Sequence, residues 1–349
     1  MDNRYLLIII QKPDTKDFFT PMTLSKTYNI LHLRKQWNNI CACNSNILPT
    51  QHYDYYRHLL VIFYTKYLIT RWRIVFHTAS EGSKQCIIPL VINHARKKIH
   101  GISSYGRLDY EDIISSTPDL QFNSQCIYTV LSKYKGYSIY INNIPESGYL
   151  YHILQHQMEF DGNCITIKLN DSYENYVNNL SKHQQQNIRT AYNKLFREDF
   201  KIQTKTFDSS HRISQHMWNT CQSMYEKQRN INGNQVKIWI ERQKNAFTHI
   251  LHHVDGYQIC ILMHGTTPIA YLSGMVKHGC YYVPRFSHDT NYNKYSPGII
   301  LICETIKLLI DKGIHTLDLM RGDEPYKLAM GGTIHKNYYL DCNVNDLLS

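Results

Sequence analysis

The stretch of the chain richest in reactive side chains is Leu317-Asp318-Leu319-Met320-Arg321-Gly322-Asp323-Glu324-Pro325-Tyr326-Lys327, where a short apolar run breaks into charge. Polar groups gathered where a strand leaves a sheet are typical of functional sites. A carboxylate such as Asp323 or Glu324 could take the proton that an attacking amine must lose, directly or through water. Tyr326 could return a proton to a departing thiolate. Arg321 and Lys327 could bind anionic groups. A solvated, salt-bridged turn is the plainer reading of the same residues, and it stays open here.

A second group of residues lies just upstream. Tyr295-Ser296-Pro297-Gly298 reads as a helix start, because Ser can cap free amides and Pro is favoured at the first helical position. Free amides and the dipole at such a start favour phosphate oxygens. Gly298 would let a ligand reach the backbone, and Lys294 adds charge. Pro284 falls inside an apparent strand, where it removes a ladder hydrogen bond and points to an edge or a bulge. A bulge there would leave amides free to hold a developing oxyanion. A capped helix without ligand and an ordinary edge strand are the alternatives.

The elements that must position these groups follow from periodicity. Asn163 to Leu169 alternates as a strand, and Ser172 to Glu198 carries apolar residues at helical spacing. Further helices are expected over Ser210 to Gln228 and Val236 to Phe247. Three antiparallel strands, Tyr257 to Met263, Ile269 to Val276 and Cys280 to Ser287, are set off by Gly265-Thr266-Thr267-Pro268 and Lys277-His278-Gly279. A helix then runs from Pro297 to a stop at Gly313, followed by strands Ile314 to Leu319 and Thr333 to Leu340 around a short helix. A helix joining neighbouring strands after an antiparallel meander predicts an α/β fold with a mixed sheet.

The N-terminal half is less regular. Helical spacing appears over Leu31 to Ile40, and strands are expected at Tyr67 to Phe76 and Cys86 to Asn93, joined by a Ser80-Glu81-Gly82-Ser83 turn. With 349 residues, two domains are expected, 1–160 and 161–349.

Composition narrows the function classes. Apolar residues at 43% and charged residues at 19% suit ordinary cores and exclude wholesale disorder. The net charge of +10 suits a polyanionic partner such as a nucleotide cofactor. The densest basic cluster is only Arg96-Lys97-Lys98, so a nucleic-acid-binding tail is not expected. Ten scattered cysteines without a CxxC pair suggest a reducing, cytoplasmic setting, and nineteen histidines without zinc-site spacing imply no metal. The N-terminal apolar run Tyr5 to Ile10 is too short to span a bilayer, which leaves peripheral membrane contact open.

Taken in order, Tyr295-Ser296-Pro297-Gly298, the helix to Gly313, Leu317-Asp318 and the Arg321-Gly322-Asp323-Glu324-Pro325-Tyr326-Lys327 run resemble the signature of BioF2-like, or CelD/BcsL-type, acetyltransferases. These belong to the GNAT superfamily and are related to the FemAB aminoacyltransferases. Looser similarity extends to Trp37, Ile88-Pro89-Leu90, the stretch from Gly106 through Asp109 to Asp112, and Ser181-Lys182-His183 with Asn187-Ile188-Arg189. The resemblance implies two tandem GNAT-like halves, the first degenerate, with acetyl-CoA or another acyl-CoA as donor and an amine such as an amino sugar as acceptor.

On this reading Asp323, Glu324, Tyr326 and Lys327 are catalytic. Arg285, Lys294, Ser296, Gly298 and Ile299 hold the cofactor, and Asp318, Arg321 and Asp109 contact the acceptor. Replacing Asp323 or Lys327 is expected to cut turnover without unfolding. Two rivals remain: an aminoacyl-tRNA-dependent FemAB-like transferase, and a non-catalytic subunit of a polysaccharide assembly machine.

Overall fold

A computed structural model describes residues 22–67, 70–105, 109–228 and 254–349. The expected helix over Val236 to Phe247, the run Tyr5 to Ile10 and the stretch Gly106 to Leu108 lie outside the described residues. The chain forms two compact units: residues 1–47, 69–160 and 338–349, and residues 48–68 and 161–337. One change of unit falls between residues 160 and 161. The segments 48–68 and 338–349 each belong to the unit that a single cut there would deny them.

In the second unit a mixed sheet runs through Ile202–Phe207, Tyr257–His264, Thr267–Lys277, Cys280–His288, Thr316–Arg321 and the later part of Met158–Lys168. Its first four strands are successively antiparallel, as the meander and its turns require. Cys280–His288 and Thr316–Arg321 are parallel, with Tyr281 opposite Leu317, so their connection must cross over. The helix Pro297–Asp311 makes that crossover. It buries Ile300, Cys303, Ile306 and Leu309, at the spacing of one helical face, against Leu262, Leu272, Tyr281 and Leu317 of the sheet. Each buried Ile or Leu of this face contributes about 1.5–3 kcal/mol by leaving water.

The helix ends where Gly313 takes φ +69°. There the Gly313 amide donates to the Ile310 carbonyl and the Ile314 amide to the Leu309 carbonyl, a Schellman closure. The expected long helix over Ser172 to Glu198 is two helices, Tyr173–Asn179 and Lys182–Arg197. Ser172 and Ser181 each cap one of them, accepting from the amides of Asn175 and Gln184. A serine three residues before a helical position competes for the backbone and breaks the run. The helix Gln215–Gln228 starts five residues later than expected, and Ile202–Phe207, to which no element was assigned from the sequence, is the edge strand.

In the first unit, Thr23–Thr27, Arg73–Glu81, Lys84–Asn93, Lys98–His100 and Ser138–Pro145 are neighbours in the sheet, joined by the end of Thr333–Asn343. Tyr67, expected to open a strand, instead ends the helix Tyr53–Tyr67, and the strand begins at Arg73. The periodicity was masked by aromatic residues that suit either element. Lys98–His100 and Ser138–Tyr140 pair in parallel, and the helix Leu120–Leu131 crosses between them. Each unit therefore contains the same β–α–β crossover over a three-residue parallel pairing.

Candidate active site

The parallel pairing in the second unit covers only Cys280–Thr316, Tyr281–Leu317 and Tyr282–Asp318. Beyond it the two strands continue without pairing to each other, to His288 and Arg321 respectively. Two distortions separate them. In Cys280–His288 the register against Thr267–Lys277 slips between Arg285 and Tyr282, which places a bulge at Val283–Pro284. Gly274 faces the bulge so closely that a Cβ there would lie 1.8 Å from the Tyr282 carbonyl oxygen. In Thr316–Arg321 the Asp318 carboxylate accepts the Met320 amide at 2.7 Å, and Met320 is held at φ +56°. Asp318 is thus a buried organiser of the strand's kink. Edge backbone left without a ladder partner is what a thioester carbonyl or an extended substrate amide can use.

The crossover helix starts at this open end. Ser296 precedes it in the left-handed region, φ +52° and ψ +50°, and makes no side-chain cap. The capping role expected for Ser296 is therefore corrected, because this backbone geometry is not the extended one in which a cap hydroxyl reaches the first-turn amides. Its carbonyl still accepts the Ile300 amide at 3.2 Å. The amides of Gly298 and Ile299 belong to the first turn, where no partner exists within the helix, and they remain available to an anion. Gly298 has a packing reason as well: a Cβ there would come within 2.9 Å of the Phe286 ring. Ile299 is half-buried beside the core.

Phe286 also lies 5.8 Å, between ring centroids, from Tyr326. A sequence of contacts therefore runs from the helix start through Phe286 to Tyr326. Burial, and then the Glu324 charge, push the Tyr326 hydroxyl well above the usual phenol range, so it stays protonated as a donor.

The charged corner is tightly organised. Lys327 is 4% exposed, and its ammonium donates to the carbonyls of Leu319 at 3.0 Å, Arg321 at 2.9 Å and Gly322 at 3.1 Å. Its ion pair with the exposed Glu324 is 2.9 Å. The guanidinium of Arg321 donates through Nη1 and Nη2 to both oxygens of Asp161, each at 2.9 Å. Asp323 is exposed and accepts from the Asn163 amide nitrogen at 2.9 Å. Lys327 thus fixes the strand exit by its own geometry, and the two exposed carboxylates face water.

Other expected cofactor residues lie elsewhere. Arg285 is buried on the sheet face opposite Phe286, donating to Gln222 at 3.0 Å over the Tyr225 ring of the helix Gln215–Gln228. Strand alternation produces this separation. Lys294 is exposed and pairs at 3.0 Å with Glu198, whose carboxylate is held below its usual range by the Tyr295 hydroxyl and by Lys294. Asp109 belongs to the first unit, half-buried beside the buried Tyr110, Glu111 and Asp112.

Phe286, Asp161 and Asn163 were not among the site residues expected from the sequence. Asp161-Gly162-Asn163 has the composition of a turn, yet it lies inside the strand Met158–Lys168 and supplies partners to Arg321 and Asp323. Polar residues directly before an apolar strand were the available signal.

The first unit's crossover helix is closed where the second unit's is open. Asp119 caps Leu120–Leu131, accepting from the amides of Gln121 at 3.0 Å and Phe122 at 3.1 Å, and Lys84 reaches the same carboxylate at 2.6 Å. Beyond the parallel pairing, Gly101 donates to Tyr140 at 2.9 Å and Glu111 donates through its amide to Asn143 at 2.8 Å. A carboxylate already occupies the place a phosphate would take.

Among the described residues no group of His, Cys, Asp and Glu could hold a metal ion, and no helix is long and apolar enough to cross a membrane.

Comparison with known proteins bears on the fold. Residues 182–328 match the family model of the acetyltransferase (GNAT) domain. No curated protein matches the sequence. Among solved structures, a conserved protein of unknown function from Bacteroides thetaiotaomicron VPI-5482 superposes with TM-score 0.54 at 13% identity, covering 92% of this chain and 100% of that one. The C-terminal domain of a protein described as a lysylphosphatidylglycerol synthetase from Agrobacterium fabrum superposes at 0.56 and 9%, covering 92% and 94%. FemX superposes at 0.56 and 9%, covering 93% and 99%. The chain has the mixed α/β fold of these structures, and its residues 182–328 resemble the GNAT acetyltransferase domain.

Proposed function

We propose that the second unit transfers an acyl group, in the first instance acetyl, from acyl-CoA to the amine of an amino sugar or a similar envelope precursor. The observation that carries this reading is the opening beyond Tyr282–Asp318 together with an uncapped crossover helix at its mouth. The cofactor's diphosphate rests on the amides of Gly298 and Ile299. Its pantetheine arm enters between the strands, and backbone of Val283 to Ser287 receives the thioester oxygen. The amine attacks the thioester carbonyl directly. The bond to sulfur breaks, and Tyr326 supplies the proton that leaves with the thiolate. Asp323 or Glu324 takes the proton released by the amine through water, since both carboxylates are exposed. No covalent enzyme intermediate is required, because holding the reactants together supplies much of the acceleration.

Calorimetry with acetyl-CoA and with aminoacyl-tRNA tests the donor. Binding of acetyl-CoA at one site per chain, with none of the tRNA, supports the proposal. Absence of any acyl-CoA binding overturns it. Tandem occupancy is not expected, because Asp119 closes the corresponding seat in the first unit.

A further inference from the structure

The helix Lys182–Arg197 has a face that its own unit does not use. Gln184, Ile188, Ala191 and Leu195 are buried, and the apolar three of these pack into the core with the crossover helix. Lys182, Gln186, Arg189, Asn193, Phe196 and Arg197 are exposed on the opposite side. At 3.6 residues per turn they fall within an arc of about 100°, a stripe about 24 Å long. The helix contains no acidic residue.

Phe196 is 88% exposed, so a large ring stands in water at the end of a basic row. The acids that follow are already paired, Glu198 with Lys294 at 3.0 Å and Asp199 with Lys201 at 3.8 Å. Among the described residues none supplies a carboxylate to Lys182, Arg189 or Arg197. Beside Phe196 an open groove of about 450 Å³ is lined by Tyr192, Leu195, Phe200 and Ile202, with Asp199, Lys201 and Glu304 also on its walls, so apolar and polar surface are mixed there.

We infer that this face docks the protein on an anionic lipid bilayer. The occupant must offer negative charge along the length of a straight helix and an apolar medium a few ångströms deeper for Phe196. A phosphodiester backbone meets only the first requirement. A headgroup layer over hydrocarbon meets both, because the basic side chains can pair with lipid phosphates while the single exposed ring of Phe196 enters the layer beneath them. The inference does not depend on the acyl-transfer proposal.

The test is flotation of the full chain with phosphatidylcholine vesicles, with and without phosphatidylglycerol, in about 0.1 M salt, where surface charges are still felt over about 10 Å. Binding is expected only with the anionic lipid. Lys182→Gln, Arg189→Gln and Arg197→Gln should each weaken it about fivefold, Phe196→Ser should weaken it by a similar factor, and all four together should abolish it. These side chains are exposed, so melting temperatures should not move, and Lys26→Gln in the first unit is the control. Equal binding to neutral vesicles, no binding at any phosphatidylglycerol content, or an equal loss with Lys26→Gln would each overturn the inference. So would retention of a heparin complex, lost in the same variants, with no vesicle binding.

Discussion

Replacing Lys327 with Met keeps the length and apolar stem of the side chain but removes the ammonium. Residue types alone suggested that such a change would stop turnover and spare the fold; the structure separates these effects. The ammonium satisfies the carbonyls of Leu319, Arg321 and Gly322. Only the rim of this arrangement can recruit water, since Leu319 is 5% exposed and Arg321 is exposed. An orphaned buried acceptor costs about 1–3 kcal/mol, so one buried and two part-buried carbonyls together lose about 4 kcal/mol. Glu324 is exposed and recovers its hydration, so it adds little to the loss.

The expected destabilisation by Lys327→Met is therefore about 4 kcal/mol. For a cooperative unit of this size that lowers the melting temperature by about 8–16 °C. Scanning calorimetry of the parent, Lys327→Met and Tyr326→Phe measures it, with Tyr326→Phe as the neighbour expected to melt normally. A Lys327→Met protein that melts within 2 °C of the parent yet has lost turnover would refute the clamp and return Lys327 to the chemistry.

Other consequences can be checked separately. Tyr326→Phe should lower kcat about 10²–10⁴-fold with little change in the KM for acyl-CoA; the parent should lose rate only at strongly alkaline pH, because burial raises this hydroxyl. Asp119→Ala should destabilise the first unit by about 1–2 kcal/mol through loss of its cap. The Lys84 hydrogen bond lowers the Asp119 pKa in the folded state, so its contribution should be present above the unfolded carboxylate range and lost as pH falls through the folded value. Glu111 behaves oppositely: burial raises it to about 7, so the folded state binds the extra proton. Thermal stability should fall as pH rises from about 4.5 to 7, and Glu111→Gln should flatten that slope.

How far residues alone reached depends on the element. The meander, the crossover helix and its Gly313 stop were legible because period 2 gives way to period 3.6 between unmistakable turns. The bulge was legible from Pro284. The direction in which Lys327 and Arg285 point was not, because a cation in a motif looks the same whether it faces a ligand or a carbonyl. Arg285 sits one residue before Phe286, and alternation alone sends the two to opposite faces. The break between the Tyr173–Asn179 and Lys182–Arg197 helices was hidden because their apolar spacing continues almost in phase across Leu180. The match between the two crossovers was implied only by the family resemblance and not by the residues themselves, since the units share hydrogen-bonding geometry without sharing residues.

Leu340, Val344 and Leu347 are fully buried in the hydrophobic core of the first unit, although they are translated after the whole of the second. During synthesis the half encoded first must therefore wait, with part of its core unfilled, until the half encoded second has emerged. Maturation on the ribosome should run backwards relative to the reading frame, leaving the early half the more exposed to proteases and chaperones. Ribosomes stalled to present the chain only up to residue 337 should display a protease-sensitive first unit beside a resistant second one, and equal resistance of both would contradict this order.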